Sequence, residues 1–299
     1  MVRFLGRMAV AGVVTASAAL AQLQQVNNFG DTFGTQLTME IYVPPNPAPS
    51  PAVVLALHPC GGSGSGYFGQ TSGSYVPIAD SIGAILIYPS SPKDFNCWDV
   101  HSSQSNTHDG GGDTQVLVSM VDYILNTYNG DPAKVFVTGS SSGCMMTNLI
   151  SGVYPDVFAA ASCYSGMPAG CLNAIGSSGS SPISADPACA NGQVNKSGEE
   201  WAELVHKMYP GYTGDYPRML TWHGTADNLI LIPNLDEQLK MWSTLLGETF
   251  TEDRLNTPEA GYTWKVYGDG TRLVGVSAQG VGHTVPVHGQ QDFEWFGLL

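Results

Sequence analysis

Three observations predict an α/β fold with a mostly parallel central sheet and helices on both of its faces. Runs of strand character alternate with runs at helical spacing, the pattern of βαβ units. Several strand runs, residues 52–57 and 135–137 among them, are continuously apolar, as strands covered on both faces must be. The run Val135-Phe136-Val137 also leads straight into Gly139-Ser140-Ser141-Ser142-Gly143 and then into an apolar helical segment. That is a strand, a tight turn and a helix, with a serine at the apex.

Taken in order, residues 37–43 and 52–57 read as the first two strands. A loop and a short helix then lead to a strand over 83–88. Asp113, a suitable N-cap, precedes Val116, Met120, Val121, Ile124, Leu125 and Tyr128 at helical spacing, and this helix stops before Gly130. The serine turn follows, with its helix running from Gly143 through Cys144, Met145, Met146, Leu149 and Ile150. Residues 159–164, 219–223 and 262–267 supply further strands, with a helix over 235–246 before the last. Residues 176–181 form a Ser/Gly-rich loop. No internal repeat and no interdomain linker is visible, so residues 22–299 are expected to form a single catalytic domain.

Residues 1–21 read as a secretory signal: Arg3 and Arg7, a small apolar stretch over 8–20, and Ala19-Leu20-Ala21 as a cleavage site. The stretch is too short to span a bilayer. The formal charge of −14 becomes −16 once Arg3 and Arg7 are removed. No basic patch is left for nucleic acid or an anionic membrane, whereas a neutral polysaccharide is a compatible partner. The expectation is a secreted, extracellular monomer. Six cysteines in an exported chain imply three disulfides, with fifteen connectivities open. The favoured set is Cys60–Cys97, Cys144–Cys163 and Cys171–Cys189, the last bracketing the Ser/Gly/Pro-rich loop. No Cys-x-x-Cys or Cys-x-x-His spacing points to zinc, so neither metal nor cofactor is expected. The sequon Asn195-Lys196-Ser197 marks Asn195 for a glycan.

A serine in a Gly-x-Ser-x-Gly elbow needs a base for its proton and an acid to orient that base. In α/β-hydrolases these follow in the order Ser, Asp or Glu, His. Here Asp227, after the strand ending at His223, and His283, in Gly280-Val281-Gly282-His283, fill the order behind Ser141. His288 is the competing base, and His223 reads as a buried neighbour of the acid. An oxyanion needs two backbone N–H donors. Ser142 supplies one, and the loop His58-Pro59-Cys60-Gly61-Gly62 supplies the other from Cys60 or Gly61. Gly64-Ser65-Gly66-Tyr67-Phe68-Gly69 matches a dinucleotide-binding pattern, but it starts too far beyond the strand to make that turn.

With these motifs in place the chain resembles the fungal secreted esterases of carbohydrate esterase family 1. It is most similar to the acetylxylan esterases, with feruloyl esterases and polyhydroxybutyrate-depolymerase-like enzymes as relatives. The resemblance runs from Leu23 to the C-terminus. It rests on Thr107-His108-Asp109-Gly110-Gly111-Gly112-Asp113, Gly139 to Thr147, Tyr154-Pro155-Asp156, Gly166-Met167-Pro168-Ala169-Gly170-Cys171 and Gly282-His283. It implies an α/β-hydrolase with triad Ser141, Asp227 and His283 and with oxyanion donors at Cys60 and Ser142. It further implies release of acetyl groups from xylan through an acyl-enzyme. The chain departs from the acetylxylan esterases at Pro59, where they often carry an aromatic residue. It also departs at Cys144 and Cys163, where Ala-like residues are expected. A feruloyl esterase is the alternative, with Tyr67, Phe68, Trp98 and Trp201 as candidate acyl-pocket linings. A non-catalytic carbohydrate-binding protein on the same scaffold is the alternative of another class.

Overall fold

The computed structural model describes residues 22–299, so the expected signal segment, residues 1–21, lies outside the described residues. In chain order the elements begin with β1 (Gln24–Val26), β2 (Thr38–Tyr42), β3 (Val53–Leu57), α1 (Gly64–Ile82) and β4 (Ile85–Ser90). Next come α2 (Asp113–Thr127), β5 (Val135–Ser140), α3 (Ser142–Val153), β6 (Ala160–Tyr164), α4 (Cys171–Ala174) and α5 (Gly198–His206). The chain then forms β7 (Arg218–Gly224), α6 (Pro233–Leu246), β8 (Phe250–Leu255), β9 (Tyr262–Tyr267), β10 (Leu273–Ala278) and α7 (Gly289–Trp295). The strands make one sheet in the order β1-β2-β4-β3-β5-β6-β7-β10-β9-β8. The central strands β4, β3, β5, β6, β7 and β10 run parallel. Antiparallel strands close both edges.

The two-residue period of a strand explains why the middle of the sheet is apolar throughout. Val53, Leu55 and Leu57 enter one core with residues of α2, α3, α5 and α6. Val54 and Ala56 enter the opposite core with residues of α1 and α7. The mostly parallel sheet with helices on both faces is therefore present, and its two cores account for the continuous apolar runs.

The element before β4 differs from expectation. Instead of a short helix it is the 19-residue α1, which buries Tyr67, Thr71, Tyr75 and Ala79 at every fourth position. The Ser63 hydroxyl caps it by accepting the Gly66 N–H at 3.1 Å. Gly83 ends it at φ +70°, where a Cβ would strike the Ala48 backbone. The Gly64–Gly69 pattern thus occupies the first turns of a long helix. Asp113 is not a cap either: Gly112 is the N-cap of α2, and Asp113 opens the helix as a buried carboxylate. Its Oδ2 accepts the Asp99 N–H at 3.0 Å.

The cysteines are joined as Cys60–Cys97, Cys144–Cys163 and Cys171–Cys189. The first bond ties the loop after β3 to the loop after β4, and the second ties α3 to β6. Asn195 is exposed, two residues before Ser197, which caps α5 in a reciprocal box with Glu200. Among the described residues, no helix is long and apolar enough to cross a membrane.

Candidate active site

Ser141 joins β5 to α3 with φ +54° and ψ −117°, a strained conformation for any residue bearing a Cβ. The turn closes because its neighbours are small. A Cβ on Gly139 would strike the Gly143 backbone, and one on Gly143 would strike the Leu57 carbonyl. The Ser141 N–H donates to the Tyr164 carbonyl at 2.8 Å, fastening the turn to the neighbouring strand. The hydroxyl consequently stands at the N-terminus of α3, where the helix dipole favours developing negative charge.

Two more parallel strands bring the partners. Asp227 follows β7 and His283 follows β10, so all three side chains gather at the C-terminal edge of the sheet. His283 Nε2 lies 2.8 Å from Ser141 Oγ, and His283 Nδ1 lies 2.7 Å from Asp227 Oδ2. Because an ionised carboxylate can only accept, Nδ1 carries the proton and Nε2 is free to accept from the serine. The other carboxylate oxygen of Asp227 accepts the N–H groups of Leu229 at 3.0 Å and Ile230 at 2.9 Å. Burial pushes the Asp227 carboxyl up, but the His283 hydrogen bond and these N–H donors outweigh it and hold the group below the usual carboxylate range.

His223 lies beneath this pair, fully buried. Its Nε2 donates to the Ile230 carbonyl at 2.8 Å and sits 3.6 Å from Asp227 Oδ2. Burial lowers its pKa, so it is a neutral packing residue and not a second base. His288, the other competitor, stacks on Trp222 with centroids 4.6 Å apart and lies outside the Ser141–His283 contact.

The loop after β3 is fixed beside the elbow. The Trp98 indole N–H donates to the His58 carbonyl at 2.8 Å, and the Trp98 backbone N–H donates to Ser142 Oγ at 2.9 Å. The Gly61 N–H is already engaged by the Phe95 carbonyl at 2.6 Å. Asp94, Phe95 and Asn96 are held at φ +40°, +57° and +55°, one after another. The Asp94 carboxylate accepts from Ser180 Oγ at 2.9 Å and from the Ser180 and Ser181 N–H groups, lashing the Ser-rich loop to the same segment. Phe95 itself is 64% exposed.

Of the candidate acyl-pocket aromatics, Trp98 and Tyr67 pack next to the serine turn, through Ser142 and Ser140. Trp98 and Trp201 are fully buried, and the Trp201 indole donates to Glu237 at 2.8 Å. Phe68 packs between Tyr42 and Tyr88, while Tyr67 places its hydroxyl 2.9 Å from Ser140 Oγ. Phe95, two residues before Cys97, carries no pattern in the sequence that singles it out. Among the described residues, no cluster of three or more His, Cys, Asp or Glu side chains is arranged to hold a metal.

A buried polar network supports the histidine loop from below. Asp292 is fully buried and accepts from the hydroxyls of Tyr75 at 2.6 Å, Tyr164 at 2.7 Å and Ser162. The Tyr164 hydroxyl accepts the His288 N–H at 3.0 Å, and Ser165 Oγ accepts that of Val285 at 3.1 Å. Burial raises the Asp292 carboxyl to about 6 against the pull of the three hydroxyls. The loop that carries His283 is thereby anchored to β6, the strand that also holds the Ser141 N–H.

Known proteins resemble this chain in both sequence and fold. Residues 37–186 match the esterase PHB depolymerase family. Feruloyl esterase B of Talaromyces funiculosus is 50% identical over 278 residues, covering 93% of this chain and 77% of its own length. Acetylxylan esterase A of Aspergillus awamori is 44% identical over 280 residues, covering 92% and 89%. A solved acetyl xylan esterase from Aspergillus awamori superposes with a TM-score of 0.86 at 42% identity, covering 93% of this chain and 100% of that one. The chain therefore belongs to the esterase PHB depolymerase family, among the fungal acetylxylan and feruloyl esterases, and is a carboxylic ester hydrolase with the α/β-hydrolase fold.

Proposed function

We propose that this protein is a secreted, monomeric serine esterase that removes O-linked acetyl groups from xylan, with no metal, cofactor, nucleic-acid or membrane partner. Ser141 Oγ attacks the acetyl carbonyl while His283 Nε2 accepts its proton, and Asp227 holds the imidazole in the required tautomer. The oxyanion is met by the N–H groups of Cys60 and Ser142. Engagement of the Gly61 N–H by Phe95 supports Cys60 as the donor from the early loop. Collapse of the tetrahedral adduct breaks the C–O bond to the sugar, and the proton on His283 passes to the departing sugar oxygen. Water, deprotonated by the same imidazole, then attacks the acetyl-enzyme and releases acetate and free Ser141. Each backbone donor is worth roughly 3 kcal/mol to the transition state.

The observation that carries this reading is the continuous relay of 2.7 Å and 2.8 Å contacts through His283. All three members of the triad argue against a non-catalytic carbohydrate-binding scaffold. Labelling of Ser141 by an organophosphate, together with loss of acetate release from acetylated xylan in Ser141→Ala, tests it. Unlabelled Ser141 or undiminished release in the variant removes the serine from the mechanism. The signal over 1–21 and a glycan on Asn195 belong to the same proposal, since both accompany export.

Feruloyl ester hydrolysis is the second reading. It is favoured by the 50% identity to a feruloyl esterase B and by the exposed Phe95 ring beside the oxyanion loop. Relative rates on acetylated xylan and methyl ferulate separate the two.

A further inference from the structure

In acyl transfer the imidazole nitrogen that accepts the serine proton returns it to the leaving alcohol. The alcohol half of the ester must therefore lie against His283 Nε2, away from the oxyanion donors at Cys60 and Ser142. Ser140, which precedes the nucleophile, and Thr284, which follows the base, both line one cavity of about 280 Å³. Tyr67 lies against it with its hydroxyl bonded to Ser140 Oγ. Pro286 and Val287 give it an apolar wall, and the exposed carboxamide of Gln70, on the first turns of α1, stands on its border.

This combination suits a pyranose, whose axial C–H groups make an apolar face and whose equatorial hydroxyls need both donors and acceptors. A carboxamide supplies both, and a threonine hydroxyl does the same. We infer that this cavity is a glycosyl subsite for the alcohol half of the substrate, seating a neutral pentopyranose unit of the polymer with Gln70 and Thr284 as its polar contacts. The inference rests on the deacetylase reading for its polymer, but its sugar binding is measurable without any acetyl group.

Unsubstituted xylotetraose is the probe, used as an inhibitor of p-nitrophenyl acetate hydrolysis by the full-length enzyme and by Gln70→Ala. The expected result is competitive inhibition of the wild type, with the inhibition constant raised about fivefold in the variant, the worth of one neutral hydrogen bond. Gln70 is exposed on a helix, and alanine is a better helix former, so the variant folds. Absence of inhibition, or an inhibition constant the same in both proteins, overturns the subsite. Failure to release acetate from acetylated xylotetraose is a separate measurement and strikes the deacetylase reading, leaving the sugar site standing on the inhibition data.

Discussion

The phenol of Tyr164 donates to the fully buried carboxyl of Asp292 at 2.7 Å, where the hydroxyls of Tyr75 and Ser162 donate as well. Burial raises the Asp292 carboxyl to about 6, above the ordinary value, so the folded chain holds its proton more tightly than the unfolded chain. The resulting stability is fully present below the unfolded value and is lost as pH rises through about 6. Relative to Asp292→Asn, which does not titrate there, the wild type gains on the order of 2 kcal/mol between pH 7.5 and 4.5. Urea denaturation of both proteins at the two pH values reads this directly; a pH-independent difference removes the linkage.

Asp227→Asn keeps the size of the side chain but turns an N–H group toward a ring nitrogen that must itself donate. The imidazole is then favoured in the tautomer that cannot accept from Ser141. The expected loss in kcat on p-nitrophenyl acetate is ~10⁴-fold with KM little changed. A loss below tenfold would move the acid role to another residue.

Gly143→Ala puts a methyl group into the Leu57 carbonyl and forces the elbow away from the early loop. Since a misplacement of about 1 Å costs roughly 10²-fold, kcat falls by at least that much even where the variant retains native circular dichroism. Full activity in the folded variant would mean that the close approach is not needed for the oxyanion site.

Phe95→Ala removes an exposed ring while leaving the carbonyl that holds the Gly61 N–H. An aromatic contact contributes about 1 kcal/mol beyond area burial. The ratio of kcat/KM for methyl ferulate to that for p-nitrophenyl acetate should therefore fall about fivefold. An unchanged ratio places the ring outside the acyl path.

The readable parts of the fold were those where backbone and pattern agree. The serine elbow was legible because its small flanking residues answer a steric demand local to five positions. The apolar strands were legible because burial on both faces removes polar interruptions. β10 escaped because Gly275 and Ser277 break its run, yet it is the strand that delivers His283. Gly275 is small because Leu239 of α6 packs directly over it, a tertiary demand with no local trace. α1 reads as short in the sequence because Gly64, Gly66, Gly69, Gly73 and Pro77 dilute it, although its buried residues recur every fourth position. Phe95 and the Asp292 network depend on partners far along the chain, which no local window contains.

The bond between Cys60 and Cys97 makes the proposed oxyanion loop depend on the redox state in which the chain is produced. When this bond alone is removed, as in Cys60→Ser/Cys97→Ser, the Cys144–Cys163 link between α3 and β6 stays intact and the Ser141–His283 pair keeps its contacts, because none of those runs through this sulfur bridge. The segment carrying the Cys60 N–H loses a covalent tether to its neighbour. The doubly substituted protein, exported so that the other two bonds form, should then be folded but of low specific activity. Production in a reducing cytosol opens all three bonds and should lower the yield of native protein as well as its turnover.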